Sequence, residues 1–440
     1  MMSLKEFASR LPSLPYEMIF KERMTRDATD LFKGTSHVAI GTLFGALISF
    51  VFTILAARIL GPANFGDFSL ISVIGTIFAL SMSISINPMI LYASRTRDAS
   101  EQTRIISTAY VQIAVFTAAS IIIYALLSSP LSQLIGIPVT LYFFAVVYAM
   151  SISFFMLTLN SFRIFSKMKA YALLNAGQSV LVLVVFLAFI YGDVRTWQSA
   201  ASSLFVSYVA IGVISLVYLR KHVTLRFDRV WSKKIAHYAR FAIPGTVAAA
   251  CMGVDRILIN IFGTTANVGI YSAYFVPSIT IALMLSTIAN AGFFPYASRR
   301  RDKRSILFKM NRAAPYIAIA LVPAFVVVER IAFALYGSQY PFSWEIAFFF
   351  SLAATSTFLY QWYNALMGSE GARGAKLTSY SSIIALLVLV GLDVALIPLI
   401  GILGAVLTLI AAYVIAIFYL ISQRQMLDGA EAATQETGAG

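Results

Sequence analysis

Apolar residues run along this chain for about 20 positions at a time. They lack both the strict alternation of a half-buried strand and the narrow apolar stripe of a surface helix. Runs of that length span a bilayer as helices. The pattern predicts twelve of them, near 36–57, 68–92, 104–127, 139–161, 171–191, 199–219, 241–262, 268–296, 313–335, 343–367, 377–397 and 401–421. The last two are separated by almost nothing, and Pro398, Gly401 and Gly404 supply the break. Ahead of the first run, Leu4, Phe7, Leu11 and Leu14 suit a short interfacial helix interrupted by Pro12 and Pro15.

Composition agrees. Of 440 residues, 59% are hydrophobic and 12% charged, about half the charge of a soluble globular chain. Too little polar surface remains to face water all round. In hydrocarbon every backbone group must be satisfied internally, which leaves helices or closed barrels. Continuous rather than alternating apolar runs select an all-α membrane protein. No signal peptide is expected, since six basic residues and no apolar core precede the first span. The lone Cys251 excludes a disulfide framework and any multi-cysteine metal site, and no metal centre is expected.

The net charge of +14 is a matter of topology. Alternate loops hold 29 of the 33 basic residues, the opposite loops only Arg58, Arg195 and Arg330, and Arg256 lies inside a span. Lysine and arginine stay cytoplasmic, so both termini are expected inside, at the inner (cytoplasmic) membrane. No nucleic-acid partner is implied. Arg299, Arg300 and Arg301 either hold their loop inside or touch anionic lipid headgroups.

The chain also repeats itself at an offset of about 203 residues. Gly66, Phe68 and Ser69 are echoed by Gly269, Tyr271 and Ser272. Ser83 is echoed by Ser286, Asn87 by Asn290, the run Tyr92-Ala93-Ser94-Arg95 by Tyr296-Ala297-Ser298-Arg299, and Asn160 by Asn364. Six spans lie between the copies, so the repeats are parallel, related by an axis along the membrane normal. The expected plan is a tail at 1–35, a six-helix bundle at 36–219, a basic linker at 220–240, a second bundle at 241–421 and a tail at 422–440. Two parallel-repeat bundles around a central cavity are the layout of a transporter that rocks its halves about one site.

The residues now laid out resemble a known family. Ala57-Arg58-Ile59-Leu60-Gly61-Pro62-Ala63-Asn64-Phe65-Gly66, Asp255-Arg256-Ile257-Leu258-Ile259, Val268-Gly269-Ile270-Tyr271-Ser272, Phe294-Pro295-Tyr296-Ala297-Ser298-Arg299 and Ile397-Pro398 with Gly401, Gly404 and Ala405 look like the oligosaccharide flippases. These belong to the multidrug/oligosaccharidyl-lipid/polysaccharide exporter superfamily. The resemblance covers roughly residues 36 to 421. It implies translocation of an undecaprenyl-pyrophosphate-linked oligosaccharide between leaflets, by alternating access around an often cationic cavity. Twelve spans rather than fourteen point to O-antigen, capsule or exopolysaccharide units instead of peptidoglycan precursor. A polysaccharide polymerase and glycosyltransferases are the implied working partners, beside the membrane lipids. No cofactor is implied, and the driving force is a proton or sodium gradient or the membrane potential.

Ionisable residues inside spans are expensive and default to functional candidates. Asp255, Arg256 and Asp393 lie within spans, with Arg58, Glu329 and Arg330 at span ends. Arg256 and Asn260 share a helix face. There Arg256 either grips a pyrophosphate through its planar fork or snorkels to the interface. Arg58 and Arg330 are substrate ligands or interface anchors. Asp255 and Asp393 carry a coupling ion or balance an arginine, and Asn87 and Asn290 are expected as polar cavity residues. Pro88, Pro244, Pro277, Pro315 and Pro323 kink or break helices. His37, His222 and His237 sit at or beyond span ends, which removes a membrane histidine relay.

Three rivals remain. A membrane polymerase or glycosyltransferase needs a large loop with catalytic groups, and the longest expected outer loop is about a dozen residues without a carboxylate pair. A multidrug and toxin extrusion pump suits an acidic cavity. A major-facilitator transporter would carry Gly-x-x-x-Asp-Arg/Lys after span two, where this chain reads Arg95-Thr96-Arg97-Asp98-Ala99.

Overall fold

The computed structural model describes residues 26–427 apart from 97, 166, 221, 222, 225, 300 and 301. It describes backbone alone at 26–42, 241–245, 249–251, 291, 292, 295, 299, 372, 426 and 427. The expected interfacial helix, the Arg299–Arg301 side chains and those of His37, His222, Pro244 and Cys251 lie outside the described residues.

Among the described residues the only regular secondary structure is helix. They form α1 (Arg26–Ser83), α2 (Ile86–Ala93), α3 (Ala99–Leu126), α4 (Ser128–Ile135), α5 (Val139–Ile164), α6 (Met168–Tyr191) and α7 (Trp197–Leu219). Then come α8 (Arg229–Ala250), α9 (Val254–Phe262), α10 (Thr265–Phe275), α11 (Ile281–Arg299), α12 (Lys303–Tyr336), α13 (Trp344–Gly368), α14 (Gly371–Ile400) and α15 (Ile402–Ser422). Among the described residues, nine helices are long and apolar enough to cross a membrane, and the first of these holds two spans. The rods 229–262 and 344–368 complete the twelve.

Departures from the expected spans have local causes. α1 is one helix with two arms, because Gly61 takes φ 71° and ψ 171°, which an L side chain resists. Pro62 then starts the second arm, where its missing N–H costs nothing. α8 begins a dozen residues before the expected span, inside the basic loop, since Lys and Arg are themselves good helix formers. The rod that continues it is interrupted by one 3-10 turn at Cys251–Gly253. The rod of α10 and α11 is joined by a π turn, Val276–Thr280, at Pro277. Pro398 sits inside α14, so Gly401 alone makes the turn into α15. Gly404 then backs closely against the Leu396 carbonyl.

The helices pack as two lobes. In the first, α1 lies against α5 and α6, and α7 covers both. In the second, α14 pairs with α15, α13 with α12, α11 and α15, and α8 with α14. Leu126, Leu173, Phe308, Ile319, Leu387 and Leu399 stay exposed, which makes sense only against lipid. Inside, many small hydroxyls are satisfied within their own helix. Ser203 donates to the Ser199 carbonyl and Ser207 to that of Ser203, each at 2.6 Å, so these helices approach closely with those polar groups paired.

Candidate functional site

The two lobes meet at the end carrying the basic-poor loops, and they meet through repeat-related residues. The second arm of α1 crosses α10 there. Ser69 and Ser272 share a buried hydrogen bond of 2.7 Å across 203 residues of sequence. A Cβ on Gly66 would stand 1.8 Å from the Thr265 carbonyl oxygen, and one on Gly269 1.9 Å from that of Pro62. Each glycine therefore meets, in the other copy, the counterpart of what its own partner meets. The pseudo-two-fold axis passes between them, which gives the sequence repeat a physical location.

Further ties close the same end. The Tyr340 hydroxyl donates to the Ala57 carbonyl at 3.0 Å, and Gln339 Nε2 to that of Arg58 at 3.4 Å. Asn260 Nδ2 donates to the carbonyls of Ile135 and Gly136 at 3.2 and 3.0 Å. In this state Asn260, expected beside a headgroup, pins α9 to the end of α4.

Beyond this contact, toward the basic loops, the lobes part around a cavity of about 500 Å³. Its walls are Thr76, Ser81, Ser83 and Asn87 of the first repeat, Tyr124 of α3, Ser153, Met156 and Asn160 of α5, and Thr246 and Val247 of α8, among apolar neighbours. Asn87 is exposed to it. The Tyr124 ring stacks on Phe78 at 4.2 Å, and its hydroxyl meets that of Ser81 at 3.0 Å. None of the lining residues is charged, unlike the cationic cavity the family resemblance implied. At the rim, Arg163 Nη1 donates to Asn160 Oδ1 at 3.2 Å.

The membrane charges gather instead inside the second lobe. Asp255 on α9 is fully buried. It accepts the Tyr271 hydroxyl of α10 and, at 2.7 Å, the backbone N–H of Arg256. Asp393 on α14 is equally buried and accepts the Thr408 hydroxyl of α15, while its Oδ2 has no partner among the described residues. α9 packs on both α14 and α15, so the two aspartates share one region. Arg256 is half-buried, with its guanidinium carbon 4.1 Å from the centre of the Phe275 ring and its Nε buried without an acceptor among the described residues. It does not line the cavity. Arg58 and Arg330 are exposed, the latter 5.1 Å from the Phe342 ring. Asn290 Nδ2 donates to the Gln361 carbonyl at 3.3 Å, and its Oδ1 is buried and unpartnered.

At the basic end the inter-lobe linker is clasped to α3. Arg104 reaches Asp228 with Nε, at 3.1 Å, and with Nη2. Gln112 Nε2 donates to Ser232 Oγ at 2.8 Å, and Ser107 meets Thr224 at 3.2 Å. The Trp231 backbone N–H, followed by the Arg104 guanidinium, holds the Asp228 carboxyl below the usual carboxylate range. In the second lobe Lys303 pairs with Glu370 at 2.8 Å.

A helical membrane bundle of two repeat-related lobes, shut at one end and hollow between that contact and the other, is built as a transporter. The family comparison agrees. Residues 31–301 match the model for the polysaccharide biosynthesis protein family, and the chain belongs to that family. No curated protein sequence matches it. Among solved structures it resembles an inward-facing multidrug resistance MATE family transporter of the MOP superfamily, at 14% identity and TM-score 0.63 over 95% of this chain and 98% of that one. It also resembles the eukaryotic MATE transporter AtDTX14, at 13% identity and TM-score 0.60 over 90% and 94%. The Vibrio cholerae MATE transporter VcmN in its bent form follows, at 15% and 0.56 over 91% and 98%. These likenesses establish the fold.

Proposed function

We propose that the protein is a flippase, carrying polyprenyl-pyrophosphate-linked oligosaccharide units from the cytoplasmic to the outer leaflet by alternating access. One observation carries the reading: the polar positions of the cavity wall, set among apolar residues, are hydroxyls, amides and one tyrosine, without a carboxylate. Sugar hydroxyls need such donors and acceptors, together with an aromatic face such as Tyr124. An organic cation needs a counter-charge, and the acids Asp255, Asp393 and Glu329 are all sealed in the second lobe. Membership of a polysaccharide biosynthesis family supports the same cargo. Arg163 at the rim and Arg256, with its one unsatisfied buried donor, are the cations offered to the pyrophosphate as the lobes move. Asp255 and Asp393, held by Tyr271 and Thr408, form the coupling-ion site. Catalysis plays no part in this reading.

The test is complementation of a strain lacking its own O-unit flippase, with organic-cation resistance measured alongside. Restored surface polysaccharide, diminished by Asn87→Ala and by Tyr124→Leu at equal abundance, supports the reading. Cation resistance without polysaccharide display overturns it in favour of a drug exporter.

A further inference from the structure

A third buried acid belongs to neither the cavity nor the aspartate pair. Glu329 stands on α12, about two turns before the helix ends at Tyr336. Its side chain is fully buried, and neither carboxylate oxygen has a hydrogen-bond partner among the described residues. From the π turn it faces Ser278 and from α13 Ser351. The Ser278 hydroxyl is already donated to the Tyr274 carbonyl at 2.6 Å, while Ser351 Oγ and the Tyr336 hydroxyl are themselves buried without other partners among the described residues.

Among the described residues no cation pairs with this acid. The titratable groups facing it are Tyr274 of α10 and Tyr336 of α12, and the neighbouring Arg330 is exposed over Phe342. An ionised carboxylate with no counter-charge and only neutral hydroxyls to donate to it is among the costliest things a protein can bury. A protonated one is a neutral group that can donate to a free hydroxyl, and two lie beside it. The π turn falls at the same point, a feature that recurs at functional sites.

The two tyrosines beside Glu329 also support the loop that shuts the basic-poor end. The Tyr274 hydroxyl accepts the Ser343 N–H at 2.7 Å and donates to the Pro341 carbonyl at 3.3 Å. The Tyr336 ring lies 5.4 Å from that of Tyr340, whose hydroxyl grips Ala57 of the other lobe. We propose that Glu329 is a proton-binding site, loaded when the basic-poor end is shut and emptied when it opens. The inference does not depend on the identity of the cargo.

The experiment uses spin labels on Ala63→Cys and Ser338→Cys, exposed positions on the two lobes at this end, with Cys251→Ser to remove the native thiol. Inter-label distances in the purified protein are followed from about pH 5 to about pH 9, where buried carboxylates titrate. The wild type is expected to pass from short to long distances as pH rises, with at least a tenfold change in their ratio. Glu329→Gln, a permanent mimic of the loaded state, should stay short throughout, and Glu329→Asp should respond again. A Gln variant that opens with pH as the wild type does would assign the response to another acid. A wild type indifferent to pH would also overturn the proposal. So would opening governed by sodium at fixed pH and lost in Glu329→Gln, since the site would then take sodium instead of a proton.

Discussion

Replacing Gly66 with alanine isolates the contact between the lobes. Ordinary contact begins near 3.4 Å, yet the new Cβ would lie 1.8 Å from the Thr265 oxygen. The lobes must therefore part by about 1.6 Å at this point. Gly66 lies within a helix without positive φ, so alanine raises helix propensity by about 1 kcal/mol. That gain is common to both conformations and cancels from the gate equilibrium. What remains is overpacking, which costs about 1–3 kcal/mol and falls only on the closed state. A bias of that size shifts a two-state ratio about 5- to 150-fold. The 63/338 label pair should show long distances at a pH where the wild type is shut, and transport should fall in step. Gly269→Ala should act alike, and the double variant should add little, because parted lobes no longer clash. Gly177→Ala, where the new Cβ meets only Ile211 Cδ1 at 3.9 Å, is the silent control. Closed-state distances and full transport in Gly66→Ala would refute the gate.

Ser69→Cys with Ser272→Cys should oxidise readily, given hydroxyls 2.7 Å apart; transport should then stop and return with reductant, as followed by surface display before and after treatment. Arg256→Lys should lose at least tenfold in display at normal abundance, because a point charge replaces a bidentate fork lying over Phe275; full display would make Arg256 an interface anchor. The Asp228 carboxyl is held below its ordinary range, so its clasp should be complete at neutral pH and fade only as pH falls through that lowered value. Hydrogen-exchange protection factors along 229–235, corrected for the intrinsic pH dependence of amide exchange, should accordingly be flat from about pH 8 to about pH 5 and lower throughout that range in Asp228→Asn.

Much of this architecture is legible in the sequence. A run of about 20 apolar residues has one stable form in hydrocarbon, so the twelve rods follow from composition. The repeat was also visible, and Ser69 and Ser272, read only as matching letters, turn out to touch. Side-chain partners were not legible. Asp255 finds Tyr271 on the next helix and Asp393 finds Thr408 across the Gly401 turn, pairings fixed by how neighbouring rods are rotated. A single sequence carries no signal for that rotation. Helical spacing placed Arg256 and Asn260 on one face, but which lobe that face meets depends on the crossing of α1 and α10. Asn260 therefore went to backbone carbonyls, and the cavity formed on the faces bearing Asn87 and Asn160.

The two copies have divided their labour. At the repeat offset of 203 to 204 residues, the positions in the first lobe matching Asp255, Glu329 and Asp393 are all apolar: Val51 or Phe52, Ala125 or Leu126, and Phe189 or Ile190. The fully buried acids Asp255, Glu329 and Asp393 all lie in the second copy, while the hydroxyl and amide positions of the cavity wall come mainly from the first. A carrier needs its driving ion and its cargo to be linked without sharing ligands, since a shared site would let each displace the other. Here the link is mechanical and runs through the axis. Tyr271 holds Asp255 while its neighbour Ser272 holds Ser69, and Ser69 lies two turns before Thr76 of the cavity wall on the same helix arm. In the proposed coupling role, a change of charge at Asp255 would reach the cavity through one tyrosine, one serine pair and one helix. An ion held at that proposed site would then decide which face of the membrane the first lobe's cavity sees.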